Sequence, residues 1–209
     1  MEIYMVRHGE TQWNKEKRLQ GRSDIPLNEH GIRLAQITAQ ALESIPFTRI
    51  YTSPLGRARE TARILLYHRS LDIIEDDRLL EMSFGEGEGE SFTSIHAHPE
   101  TPMYNFIYHP EHYLPPARGE SFEQLYTRCR SFLKEIILPA EASCDYMMIV
   151  AHGALIRGLI HAINGRPTKD FWMTAHKNCS VTIASCIDGR LQLKEEGKIY
   201  YTEQGEAAF

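Results

Sequence analysis

Short apolar runs alternate with amphipathic stretches along the chain, and this alternation predicts an α/β protein built on a layered sheet. Two further observations refine it. Two of the apolar runs end in the same His-Gly step. One segment, residues 83–117, breaks the rhythm with glycines, prolines, aromatics and histidines, and is too long for a plain loop. It reads as an insertion with short helices, a lid over one edge of the sheet. In order along the chain, residues 3–6 form a strand. Leu34, Ile37, Ala41, Leu42 and Ile45 recur at helical spacing until Pro46 stops them. Residues 49–52 form a second strand. Ser53 as N-cap and Pro54 at the first helical position open a helix bearing Ala58, Ala62, Leu65 and Leu66. Residues 71–74 read as a further strand. Ser121 and Gln124 fit a capping box for a helix carrying Phe122, Leu125, Cys129, Leu133 and Ile136, which ends at Pro139. Residues 146–150 are wholly apolar, as a buried central strand requires. Residues 155–163 read as helix. Strands at 181–185 and 191–193 flank Asp188-Gly189, a hairpin signal with a looser connection than the tight two-residue kind.

The chain has 209 residues, which predicts one domain over 1–209 with the lid at about 83–117. A chain of this size buries roughly 70% of its unfolded surface and needs no staples. Lys and Arg number 23 against 28 Asp and Glu, net −5, so no basic excess points to nucleic acid or an acidic membrane surface. No apolar run is long enough to span a bilayer. The first residues lack a cationic start and an apolar signal core, so the expected location is the cytoplasm. Cys129, Cys144, Cys179 and Cys186 have no metal-ligand spacing and read as buried thiols.

The chemistry gathers at predicted strand ends. One strand runs into Arg7-His8-Gly9-Glu10 and another into Ala151-His152-Gly153. Ligands of open α/β sheets bind beyond the carboxyl ends of the strands. Each glycine lets backbone approach closely and frees an amide for an anion. Two imidazoles would then face each other across one crevice. Arg57 lies in the first turn after Ser53-Pro54, where a helix N-terminus and a guanidinium both favour an anion. Two arginines and two histidines describe a phosphate pocket better than a metal site.

These residues resemble the histidine phosphatase superfamily, the phosphoglycerate mutase-like proteins. The resemblance runs nearly end to end. It comprises Arg7-His8-Gly9-Glu10-Thr11 with Trp13-Asn14, then Gly21, Asp24, Pro26-Leu27 and Gly31. Ser53-Pro54-Leu55-Gly56-Arg57-Ala58 through Thr61-Ala62 follows, then Leu80-Glu81 with Phe84-Gly85 and Glu88-Gly89, and last Ala151-His152-Gly153. It implies a three-layer α/β/α sandwich with a mostly parallel central sheet. It implies that His8 is the nucleophile and forms a phosphohistidine, and that Arg7, Arg57 and His152 clamp the non-bridging oxygens. It implies that Glu81 protonates the leaving oxygen and then deprotonates water. Asn14, Gln20, Gly21 and Gly153 match positions that contact phosphate or substrate. No metal or other cofactor is implied, because the arginines supply the charge.

The superfamily holds both phosphatases and mutases. Residues 83–117 contain no Lys or Arg but carry Glu86, Glu88, Glu90, Glu100 and Glu111. A second phosphate or carboxylate would be poorly paired there, which favours hydrolysis of a small phosphomonoester over a phosphoglycerate-type mutase. An α-ribazole phosphatase is a narrower alternative. A non-catalytic phospho-ligand module is disfavoured because all five of Arg7, His8, Arg57, Glu81 and His152 are present. Many relatives have tryptophan where this chain has Gly87, so a more flexible loop and a less apolar pocket wall are expected. The lid aromatics read as the lid's own small core. His96, His98, His109 and His112 read as partly solvated histidines rather than a zinc site. The sequence specifies no oligomeric state.

Overall fold

β1 (Glu2–Arg7) and β4 (Tyr146–Ala151) pair in parallel through six registered residues, from Glu2 opposite Tyr146 to Arg7 opposite Ala151. That register brings the two His-Gly steps side by side. Both strands are apolar on both faces because both faces are covered. Ile3, Met5, Met147 and Ile149 point to one side, and Tyr4, Val6, Met148 and Val150 to the other, as the two-residue period of a strand dictates. Each such buried side chain contributes roughly 1.5–3 kcal/mol.

The structure is a computed structural model that describes residues 1–202 and 205–208. After β1 come α1 (Gln12–Lys15), α2 (Glu29–Ala41), β2 (Arg49–Thr52), α3 (Gly56–Leu66) and β3 (Ile73–Glu75). The segment 83–117 follows with α4 (Phe92–Ala97) and α5 (Pro102–Tyr108). Then come α6 (Phe122–Phe132), α7 (Leu138–Ala140), β4, α8 (Gly153–Asn164), β5 (Val181–Ile187) and β6 (Arg190–Lys198). The sheet order is β3-β2-β4-β1-β5-β6. The first four strands are parallel, and β5 and β6 add antiparallel pairs at one edge. Ala39, Ala58, Ala62 and Leu65 from α2 and α3 cover one face. Leu125, Cys129, Phe132, Leu155 and Leu159 from α6 and α8 cover the other. This is the expected mixed α/β sandwich with a largely parallel sheet.

Several boundaries differ from those expected. α2 ends at Ala41, short of Pro46, because the Arg69 guanidinium donates to the carbonyls of Leu42, Glu43 and Ile45 and caps the frayed turn. α3 starts at Gly56, so Ser53 and Pro54 lie before it; Leu55 is the N-cap, without a side-chain bond. The 71–74 strand is displaced to Ile73–Glu75. The capping box of Ser121 and Gln124 forms, but the helix does not end at Pro139. A π-helical turn, Leu133–Ile137, leads into α7, which accommodates a proline that has no N–H to give. The hairpin is also tighter than expected. Ile187 pairs with Arg190, and Asp188 and Gly189 both take the left-handed conformation (φ 52° and 71°) of a two-residue turn.

Candidate active site

β1 delivers Arg7 and His8 to the carboxyl edge of the sheet. The His8 ring is 2% exposed, and its two neighbours fix its tautomer. Nδ1 lies 2.7 Å from the Gly9 carbonyl, which only accepts, so Nδ1 carries the proton. Nε2 lies 3.3 Å from Arg57 Nε, which only donates, so Nε2 holds the lone pair. Burial, and then the charges of Arg57 and Arg7, hold the imidazole well below the ordinary histidine pKa. His8 is therefore neutral and nucleophilic near pH 7. The Gly9 amide donates to Thr61 Oγ1 (2.9 Å), which ties the turn to α3.

Arg57, on the first turn of α3, is wholly buried. It donates to the Gly21 carbonyl (2.7 Å) and the Ser23 carbonyl (2.8 Å) as well as to His8. Burial pushes its pKa down to about 10, so it stays charged. Gly21 has φ 55°, a left-handed conformation that favours glycine, and a Cβ there would stand 2.3 Å from Glu88 Oε1, so the Glu88 carboxylate would have to shift. Gln20 is buried and accepts from Thr11 Oγ1 (2.9 Å). Asn14 closes the Thr11 capping box of α1, its Oδ1 accepting from Thr11 N and from Asn178 Nδ2 (3.1 Å).

β4 and α8 supply the other half. His152 is the N-cap of α8 and Gly153 its first residue. The His152 ring centroid lies 5.1 Å from that of His8. It is fully buried and held well below the ordinary histidine value by burial, then by Arg57. Neither of its ring nitrogens, nor Arg7 Nε, has a hydrogen-bond partner among the described residues. Glu81 comes from an irregular stretch, yet its carboxylate is fixed at the head of α8. Oε1 accepts from Leu155 N (3.0 Å) and Met82 N (2.9 Å), and Oε2 from Ala154 N (3.1 Å). A helix N-terminus suits a carboxylate. Arg128 of α6 braces that stretch. It donates to the carbonyls of Arg78 and Leu80 and forms a two-pronged pair with Glu120 (2.6 and 3.0 Å). Arg128→Met should cost about 2 kcal/mol in denaturant unfolding, since Glu120 loses its main charged partner. It should also lower turnover more than it weakens ligand binding, because Glu81 loses its placement.

Of the nine residues singled out in the sequence, eight line one cavity of about 210 Å³: Arg7, His8, Asn14, Gln20, Gly21, Arg57, Glu81 and Gly153. His152 lies behind them against His8. Two residues were missed. Arg157, one turn into α8, lines the same cavity, donates to the carbonyls of Gly153 (2.9 Å) and Thr174 (2.8 Å), and stacks 4.6 Å over Trp172. Burial and then Arg7 push its pKa down to about 9. An arginine among the apolar residues Ala154, Leu155, Ile156, Leu159 and Ile160 was its signal. Asn178 donates to the carbonyls of His8 (3.0 Å) and Gly9 (3.2 Å) and lies in a stretch with no periodicity to flag it.

The lid departs from expectation in two ways. None of its five glutamates lines the cavity. Glu88, for one, faces away and accepts from Arg22 N, Ser23 N and Ser23 Oγ. Lys17, Arg18 and Arg157, all outside the lid, bring cations to the cavity instead, so the acidic lid does not bear on a second anion. Nor are the lid aromatics a separate core. Phe106 packs on Phe84, Tyr113, Phe122 and Trp172 at 4.8–5.7 Å between ring centroids, continuous with the main core. Met103 occupies the space beside Gly87, and Phe84, Phe92, Phe106 and Trp172 line the cavity. Among the described residues, no three His, Cys, Asp or Glu side chains gather as a metal would require, the lid histidines included. No described helix is long and apolar enough to cross a membrane.

The description of the histidine phosphatase superfamily, branch 1, matches residues 3–198. A Klebsiella pneumoniae protein named probable phosphoglycerate mutase GpmB is 34% identical over 184 residues, covering 87% of this chain and 83% of its own. The solved structure of YhfR from Bacillus stearothermophilus is 34% identical, with a TM-score of 0.86 over 95% of this chain and 97% of that one. A mycobacterial glucosyl-3-phosphoglycerate phosphatase, solved with VO3, is 28% identical, with a TM-score of 0.81 over 94% and 98%. With its two strand-end histidines, buried arginines and matched length, the chain belongs to the histidine phosphatase superfamily.

Proposed function

We propose that the chain hydrolyses small phosphomonoesters through a phosphohistidine on His8, without a metal. One observation carries the reading. The lone pair of His8 Nε2 sits beside buried donors, His152 and Arg7 Nε, that have no partner among the described residues. Leaving such groups unsatisfied is expensive, and the oxygens of a phosphoryl group would satisfy them. Nε2 attacks phosphorus while the bond to the alcohol oxygen breaks. Arg7, Arg57 and His152 stabilise the equatorial oxygens, and Asn14, Gln20 and Gly21 with Gly153 shape their seat. Glu81 in its acid form gives the leaving oxygen a proton. Its carboxylate then takes a proton from water as that water attacks phosphorus and the N–P bond breaks, releasing phosphate.

The mutase reading draws support from the name of the Klebsiella relative and from the cations Lys17, Arg18 and Arg157 at the cavity. Hydrolysis draws support from the aromatic wall. The test is phosphate release in the presence of chelator from p-nitrophenyl phosphate, 3-phosphoglycerate, sugar phosphates and α-ribazole phosphate. Release is expected, with an acid-labile, base-stable phosphoryl group trapped on the protein during turnover. Isomerisation of 3-phosphoglycerate with a bisphosphate primer, faster than release from every ester, would replace this reading with the mutase.

A further inference from the structure

Beyond the phosphoryl seat, the cavity walls are Phe84, Phe92 and Phe106 from the lid and Trp172 from the stretch after α8. Phe92 is 43% exposed, a large apolar surface left open at the cavity. Lys17 forms part of the rim beside it. Its backbone has φ 55°, a left-handed conformation that costs a non-glycine residue about 1 kcal/mol. The chain holds it there from both sides. Lys17 N donates to the Asn14 carbonyl (3.0 Å), and the Lys17 carbonyl accepts from Phe92 N (2.9 Å). The next residues zip on through the Arg18–Ser91 bridge and the bond from Leu19 N to Glu90 O. Lys17 and Phe92 are thus fixed relative to each other.

The two neighbouring cations differ. Arg18 is engaged by Glu16 (2.8 Å) and the Gly89 carbonyl (3.2 Å). The Lys17 ammonium has no ion-pair partner among the described residues, although the lid opposite is rich in glutamate. Among the described residues the only carboxylate lining the cavity is Glu81, held on the head of α8.

Given the phosphomonoesterase reading on which this rests, we infer that the leaving alcohol is a planar, apolar group carrying an anionic substituent, with the ring against Phe92 and Trp172 and the anion at Lys17. A sugar can stack a C–H face on these rings but finds no hydrogen-bond partner for its hydroxyls on Phe84, Phe92 and Phe106. A short aliphatic acid would reach the cation but leave the aromatic wall unused.

The test is calorimetric titration of the His8→Ala chain with phenyl phosphate, 4-carboxyphenyl phosphate and 3-phosphoglycerate. The carboxylated aryl ester should bind about fivefold more tightly than phenyl phosphate. That preference should vanish in Lys17→Gln and return in Lys17→Arg. It should also bind more tightly than 3-phosphoglycerate, an advantage that Phe92→Ser removes. Equal or tighter binding of phenyl phosphate, a preference that survives Lys17→Gln, or binding of neither aryl ester at millimolar concentration overturns the inference. Turnover of the same esters by the unsubstituted chain is read separately. The binding preference without phosphate release would sink the hydrolase reading while leaving the ligand class standing.

Discussion

His8→Ala should lower phosphate release by at least about 10⁴-fold and abolish the trapped phosphoryl group, because the Gly9 carbonyl and Arg57 hold the His8 ring with its Nε2 lone pair in place for attack. The fold should survive. The Gly9 carbonyl keeps a bond from Asn178 Nδ2, and Arg57 keeps its bonds to the Gly21 and Ser23 carbonyls. The cost is then one lost imidazole with its two bonds, about 1–2 kcal/mol in denaturant unfolding. The small cavity left by the ring gives a sharper check. Free imidazole at tens of millimolar should restore part of the turnover, since its nitrogen can stand where Nε2 stood. A merely structural role for His8 predicts no such rescue, and residual activity within tenfold of the parent would remove His8 as nucleophile.

Much of this site was legible because it is built on periodic elements. The strands ending in Arg7-His8 and His152 announce themselves as apolar runs, and their parallel register makes their ends neighbours. Arg57 was visible as a basic residue opening a helix, though its helix begins later than Ser53-Pro54 suggested. Glu81 was different. Nothing in its own stretch marks it, and only the family resemblance picked it out. Its partners, the amides of Ala154 and Leu155, lie more than seventy residues away. Asn178 shares that difficulty. The lid misled for another reason. Composition counts glutamates but not directions, and Glu88 spends its carboxylate on Arg22 and Ser23 rather than on the cavity. Positive charge reached the cavity from α8 and from the turn after α1, where a count confined to residues 83–117 does not look.

Stability should fall steeply between pH 7 and pH 4, and the cause is again the way the site is built. His8, His152 and His176 are all buried, and each folded-state pKa lies below the unfolded value of about 6.5. For His176 burial is the first cause and Arg157 the second, and together they outweigh Glu196 at 3.0 Å to bring the value to about 4. The sign follows from proton counting. Below about pH 6.5 the unfolded chain binds protons that the folded chain refuses, so the stabilisation present at pH 7 is lost as pH falls toward the folded values. His176 alone accounts for about 3 kcal/mol by pH 4, and His8 and His152 add losses of the same sign. Glu196 acts in a separate window. Its carboxyl is pulled down to about 2 by Arg166 and His176 against the effect of burial, so its contribution is lost only below about pH 4.5. Urea unfolding at several pH values should show stability dropping by more than 3 kcal/mol from pH 7 to pH 4 at constant m-value. The slope in His8→Ala should be shallower by about one proton, and a flat profile would mean that these rings are charged when folded. Because His8 is held well below the ordinary histidine pKa, loss of activity on mild acidification should follow unfolding rather than protonation of the nucleophile. Activity that falls while the chain is still folded would locate the titrating group outside the imidazole.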